Sequence, residues 1–144
     1  MMYGALDDLI ERAGEVEILQ VADRDGNGAA DPDVIDAAFA HAGNIIDGYL
    51  AGKYSLPLAS VPDLVRTWAV SIARYRLHHE GPPDYVVADY KDAIAALKDV
   101  ARGAITLTIA DGSTPDASSN SGDYLSADAP TSHASTILKG WNHA

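Results

Sequence analysis

Apolar residues recur at three- and four-residue spacing along three stretches of the chain, which predicts three long helices. The first stretch runs from residue 32 to about 51 and places Val34, Ala38, Ala42, Ile45 and Tyr49 on one stripe. The second begins near Pro62 and carries Leu64, Trp68, Ile72 and Tyr75, widened by Val65 and Ala69. The third runs from Pro83 to Gly103, with Val87, Tyr90, Ile94, Leu97 and Ala101 in register. The predicted core draws on all three: Ile45, Tyr49, Leu64, Trp68, Ile72, Tyr90, Ile94 and Leu97. Two shorter helices over residues 3–13 and 15–22 precede them, divided by Gly14.

Punctuation between the stretches agrees with this order. Asp31-Pro32 opens the first long helix, Asp as a favoured cap and Pro as a preorganised first residue. Pro57 cannot continue that helix, so residues 52–60 read as an extended connector, with Ser60 as a candidate cap for the next. "EGPPD" stops the second long helix and Gly103 the third.

Beyond Gly103 the period changes. "AITLTIA" alternates apolar residues and Thr, which predicts one strand with Ile105, Leu107 and Ile109 on a shared face. A lone strand needs a partner, so this face is expected to meet another chain. The Ser/Asp/Ala-rich stretch after it cannot build a core, and only an outside partner would order it. "STILKGWNHA" returns to apolar character, with Ile137, Leu138 and Trp141 as a small anchor. The expected fold is mainly α: a bundle of about five helices over residues 1–103, then a short β strand and an extended assembly arm over residues 104–144.

Composition narrows the function. Hydrophobic residues make up 47% of the 144, which is globular. There is no cysteine, so disulfides, thiolate metal sites and cysteine nucleophiles are excluded. The opening "MMYGALDDLIERAG" lacks a basic and apolar leader, and no stretch approaches the roughly 18 apolar residues of a membrane span. A soluble protein made in a cytoplasm is expected, with no membrane partner. The net charge is -11, and residues 1–36 hold ten acids against two bases. Such a chain repels phosphate and is poorly suited to gripping nucleic acid, although it can surround DNA without holding it.

One loop invites a metal reading. In "DRDGNGAAD", Asp23, Asp25, Asn27 and Gly28 follow D-x-D-x-N-G, and Asp31 stands at the ninth position of a calcium loop. The twelfth position, which should supply a bidentate Glu, is Val34. The favoured reading is therefore a structural turn: Asp23 and Asp25 begin Asx-turns, the glycines supply positive φ, and Asp31 caps a helix. No cofactor is expected; a calcium-responsive binding module built on Asp23, Asp25, Asn27 and Asp31 is the alternative.

Other chemistry is sparse. His78 and His79 are adjacent, so on a helix they point about 100° apart and do not readily share an ion. His41, His133 and His143 form no cluster in sequence. G-x-S-x-G, the P-loop and G-x-G-x-x-G are absent, so an enzyme is not expected. Arg66, Arg74 and Arg76 give the second long helix a basic aspect, to be paired within the chain, solvated, or set against the acidic third of a neighbouring copy.

The run "DLIERAGEVEILQVADRDGNGAADPDVIDAAFAHAGNIIDGYLAGKYSLPL", followed by "VPDLVRTWAVSIARYRLHH" and "YKDAIAALKDVARGAITL", resembles the head-tail connector (adaptor) proteins of Mu-like bacteriophages and prophages. The likeness covers about residues 3–109, and its most specific elements are "IDGYLAGKYSLPL" and "IARYRLH". The resemblance implies a virion protein of the neck: a homo-oligomeric ring of small helical subunits between the portal protein and a neck or tail-completion protein. DNA would pass through the ring channel without sequence-specific binding. Residues 110–144 lie outside the shared pattern. The residues assigned to assembly contacts are Ile105, Leu107, Ile109, Ile137, Leu138 and Trp141.

Overall fold

A computed structural model of the chain describes residues 1–118. Its five helices are α1 (Leu6–Ala13), α2 (Glu15–Ala22), α3 (Pro32–Leu50), α4 (Asp63–Leu77) and α5 (Asp84–Ala101). Each long helix starts at a proline: Pro32 is the first residue of α3, while Pro62 and Pro83 stand just before α4 and α5. A helix start suits proline because the first N–H groups have no intrahelical acceptor. Two expected caps work differently. The Asp31 carboxylate makes no bond to α3; its backbone carbonyl accepts the Val34 and Ile35 N–H groups, while its side chain turns back to the preceding loop. Pro62, not Ser60, occupies the cap position of α4.

The central element is α4, which packs against both α3 and α5. Its residues from Trp68 to Arg74 are all buried, along with Val65 and Leu77. Long α3 lends Ile35, Ala38, Phe39, Ala42, Ile46 and Leu50 to the core, and α5 lends Val86, Ala93, Leu97 and Val100. The predicted stripes on α3 and α5 are therefore turned by about one residue. Ile45, Tyr49, Tyr90 and Ile94 are only partly buried, at the margin of the core. Leu64, expected inside, is 48% exposed, and Val65 takes its place. Trp68, Ile72 and Leu97 lie in the core as expected.

The "AITLTIA" segment forms no strand; the one bridge among the described residues joins Tyr54 and Ala117. Alternation is nonetheless real: Leu107 is fully buried and Ile105 half-buried, while Thr106 and Thr108 face solvent. The partner is the chain's own body. The Leu107 N–H donates to the Tyr54 hydroxyl at 3.0 Å, and the Ser55 N–H donates to the Asp116 carbonyl at 2.8 Å. Residues 104–118 thus fold back on the connector after α3. A phenol and single backbone groups supply the acceptors a second strand would have given.

Candidate functional site

Two clusters of charge were candidates, and they are built differently. The first is the loop between α2 and α3. Gly26 and Gly28 adopt φ of 75° and 85°, a region in which side-chain-bearing residues are strained. That curvature turns backbone N–H groups inward onto the loop's own acids. Asp23 accepts from the N–H groups of Asn27 at 3.0 Å and Gly28 at 2.8 Å. Asp25 accepts from the Asn27 N–H at 3.0 Å, and Asp31 from the Arg24 N–H at 3.0 Å. The Asn27 side-chain oxygen accepts from the Ala29 N–H at 2.9 Å.

This arrangement brings together three of the four residues marked by the sequence. One carboxylate oxygen each from Asp23, Asp25 and Asp31 falls within 4.8 Å of the others. Asn27 instead spends its oxygen on the loop backbone. Val34, at the twelfth position, is partly buried against the core and offers no side-chain oxygen. Desolvation raises the Asp23 carboxyl, but hydrogen bonds from the Gly28 N–H and other loop groups outweigh it and hold it below the usual range. Asp25 is pulled down by the Asn27 N–H, but desolvation and the neighbouring charges of Asp31 and Asp23 leave it raised.

The second cluster was not visible in the sequence. Arg74 of α4, buried to 8% side-chain exposure, forms a two-pronged ion pair with Glu17 of α2, both contacts at 2.7 Å. Asp89 of α5 lies 3.8 Å from the same guanidinium and accepts from Arg12 of α1 at 2.8 Å. The Tyr85 hydroxyl donates to Glu17 at 3.3 Å, and its ring lies 5.2 Å below the guanidinium carbon. His78 Nε2 is buried without a hydrogen bond, 3.6 Å from the Glu17 carboxylate. Four helices therefore meet at one polar knot. The Arg74 hydrogen bond and charge hold Glu17 below the ordinary glutamate range, against the opposing effect of burial. Of the three arginines weighed on α4, Arg74 is thus paired within the chain, while Arg66 and Arg76 are exposed.

Both clusters hold structure together, and no nucleophile–base pair emerges from them. Of the residues assigned to assembly, Leu107 is 0% exposed in its own core and is unavailable to a neighbour as folded. Ile105 and Ile109 are half-buried, and Ile137, Leu138 and Trp141 lie outside the described residues.

Residues 3–125 match the model of a protein family described as "Bacteriophage Mu, Gp36". The chain belongs to the bacteriophage Mu Gp36 family. Among its relatives is the "Mu-like prophage FluMu protein gp36" of Haemophilus influenzae, 34% identical over 111 residues, covering 77% of this chain and 79% of that relative. Another is "Gene product J" of Escherichia phage Mu, 31% identical over 104 residues, covering 72% of this chain and 74% of that one. The resemblance to Mu-like phage proteins drawn from the motifs is thereby established. No described helix is long and apolar enough to cross a membrane.

Proposed function

We propose that the chain is a structural protein of the virion, a head-tail connector subunit that assembles as a ring between the portal and the neck or tail. The observation that carries this reading is membership of a phage Mu family across residues 3–125. The surface chemistry is in keeping with it. A chain of net charge -11 that lines a DNA channel repels phosphate, so DNA slides without being held. The acids within the fold serve to lock helices and close a loop, a use of charge that fits a rigid subunit without catalysis.

Assembly in this reading is carried by the segment beyond Ser118, with Ile137, Leu138 and Trp141 inserting into a neighbouring subunit, the portal or a neck protein. Half-buried Ile105 and Ile109 extend the contact where the body ends. The test is genetic and physical together. A Mu-like phage lacking this gene should accumulate DNA-filled heads without tails, and electron microscopy of complete particles should show a ring of this chain at the neck. Tailed, infectious particles at normal yield in its absence would remove the proposal.

A further inference from the structure

The rotation of the stripes on α3 and α5 leaves a feature that the core does not explain. Asn44, Ile45, Gly48 and Tyr49 of α3 and Tyr90 and Ile94 of α5 line an open groove of about 460 Å³. Its four large apolar side chains rest on the core beneath and are only partly covered. One wall is fixed: Tyr90 stacks on Tyr75 of α4, ring centres 4.0 Å apart and planes 11° apart. A rigid aromatic wall loses little freedom when a ligand meets it.

Gly48 sharpens the point. Glycine is among the least favourable residues inside a helix. Gly43, on the same helix, has a reason within the chain, because a side chain there would come 1.8 Å from the Met1 carbonyl oxygen. At Gly48 a Cβ would meet nothing within 4 Å. No close approach among the described residues asks for a glycine at this position. What the missing side chain does is open the floor of the groove.

The chain itself supplies a fitting occupant. Ser118 is tied to the body through the Lys53 carbonyl at 3.1 Å, and Lys53 stands only five residues beyond Gly48. The described part of the chain thus ends beside Lys53, just past α3, the helix that forms one side of the groove. Residues 129–144 hold Ile137, Leu138 and Trp141, one lysine and no acidic side chain, whereas residues 1–118 hold nineteen acids against nine bases. The segment is thus apolar and weakly basic, while the groove lining is uncharged and the body as a whole is acidic. From Ser118 to Ile137 the chain can span about 65 Å at full extension, so reach is not limiting. Tethering makes the encounter intramolecular, with an effective concentration on the order of millimolar.

We propose that the α3–α5 groove is the docking site for the Ile137–Trp141 segment of the same chain, with Trp141 seated over Gly48 between the two tyrosines. In the unassembled subunit this covers the apolar anchor, and release from the groove frees it for a partner. The docking does not rest on the ring reading: it is a property of the single chain and is tested on the free protein.

The absence of cysteine makes disulfide trapping clean. In the full chain, Asn44→Cys at the groove rim is combined with Asn142→Cys beside Trp141, and Asp7→Cys on exposed α1 replaces the groove cysteine in the control pair. Under mild oxidation the groove pair should close within one chain at least tenfold faster than the control pair, by mass spectrometry. Adding Gly48→Leu should slow that closure at least tenfold while the thermal midpoint stays at or above the parent's, because leucine is a better helix former than glycine. That second readout separates a blocked groove from a damaged fold. Equal rates for both pairs, or closure indifferent to Gly48→Leu, overturns the proposal. Disulfides found only between chains also overturn it, since they assign the groove to a second copy.

Discussion

The Arg74 knot and the acidic loop use the same carboxylate chemistry to opposite ends. At the knot, Glu17 and Asp89 meet arginines from other helices, and the central pair is nearly removed from water. In the loop, Asp23, Asp25 and Asp31 meet backbone N–H groups no more than seven residues away in sequence, at an exposed surface. The first cluster fixes how helices sit against one another. The second fixes only how the chain turns from α2 into α3. Burial and sequence separation, not residue type, decide which acids matter to the whole fold.

The largest effect expected follows from breaking the buried pair. Arg74→Ala leaves Glu17 largely buried without its cation, and a loss of about 3–5 kcal/mol is expected from urea unfolding. A loss below about 1 kcal/mol would show the knot to be hydrated in solution and would erase the contrast with the loop. Replacing Glu17 and Arg74 together by apolar residues of similar size should recover much of the loss, because no charge is then left alone.

Acid titration sharpens the same comparison. Glu17 is held below its ordinary value near 4.5, chiefly by the Arg74 hydrogen bond. A depressed carboxyl contributes stability that is present above the unfolded value and lost as pH falls through the folded one. Unfolding free energy should therefore drop as pH falls below about 4.5, and Glu17→Gln should flatten part of that slope. His41 adds in the same direction, since burial, with help from the Arg76 charge, lowers its value and favours its neutral form in the fold. An unchanged slope in Glu17→Gln would assign the acid limb to other carboxyls.

What the sequence made legible follows the range of each interaction. Helix limits were readable because Asp31-Pro32, Pro62, Pro83 and Gly103 act on their immediate neighbours. The loop was readable for the same reason, down to the missing ligand at Val34. The Glu17–Arg74 pair spans 57 positions, and no local pattern announces it. The stripes of α3 and α5 came out turned because each helix carries apolar residues on more than one face, such as Ile45 beside Ile46 and Val86 beside Val87. Periodicity shows that a face exists; only packing against α4 chooses which one is buried. The residues of "AITLTIA" were sided correctly, but their partner was not, since a phenol 53 positions away leaves no strand-like signature.

Two smaller effects belong to the loop. Asp23→Ala removes the acceptor for the Gly28 N–H group and one of two for the Asn27 N–H group, and its unfolding midpoint should fall by less than that of Arg74→Ala. A larger fall would make the loop a long-range element. The remaining question is whether three close carboxylates amount to a calcium site. A calcium loop gains its affinity from a full oxygen shell closed by a bidentate acid. Here the oxygens of Asp23, Asp25 and Asp31 already accept backbone N–H groups, the Asn27 oxygen is turned to Ala29, and Val34 faces the core. An ion would have to gather the carboxylates without a closing ligand. Isothermal titration should therefore show no calcium binding tighter than about 100 μM, near the weak end for such loops. A stoichiometric signal well below that concentration, abolished in Asp23→Ala, would make the loop a metal site and end its contrast with the knot as a purely local turn.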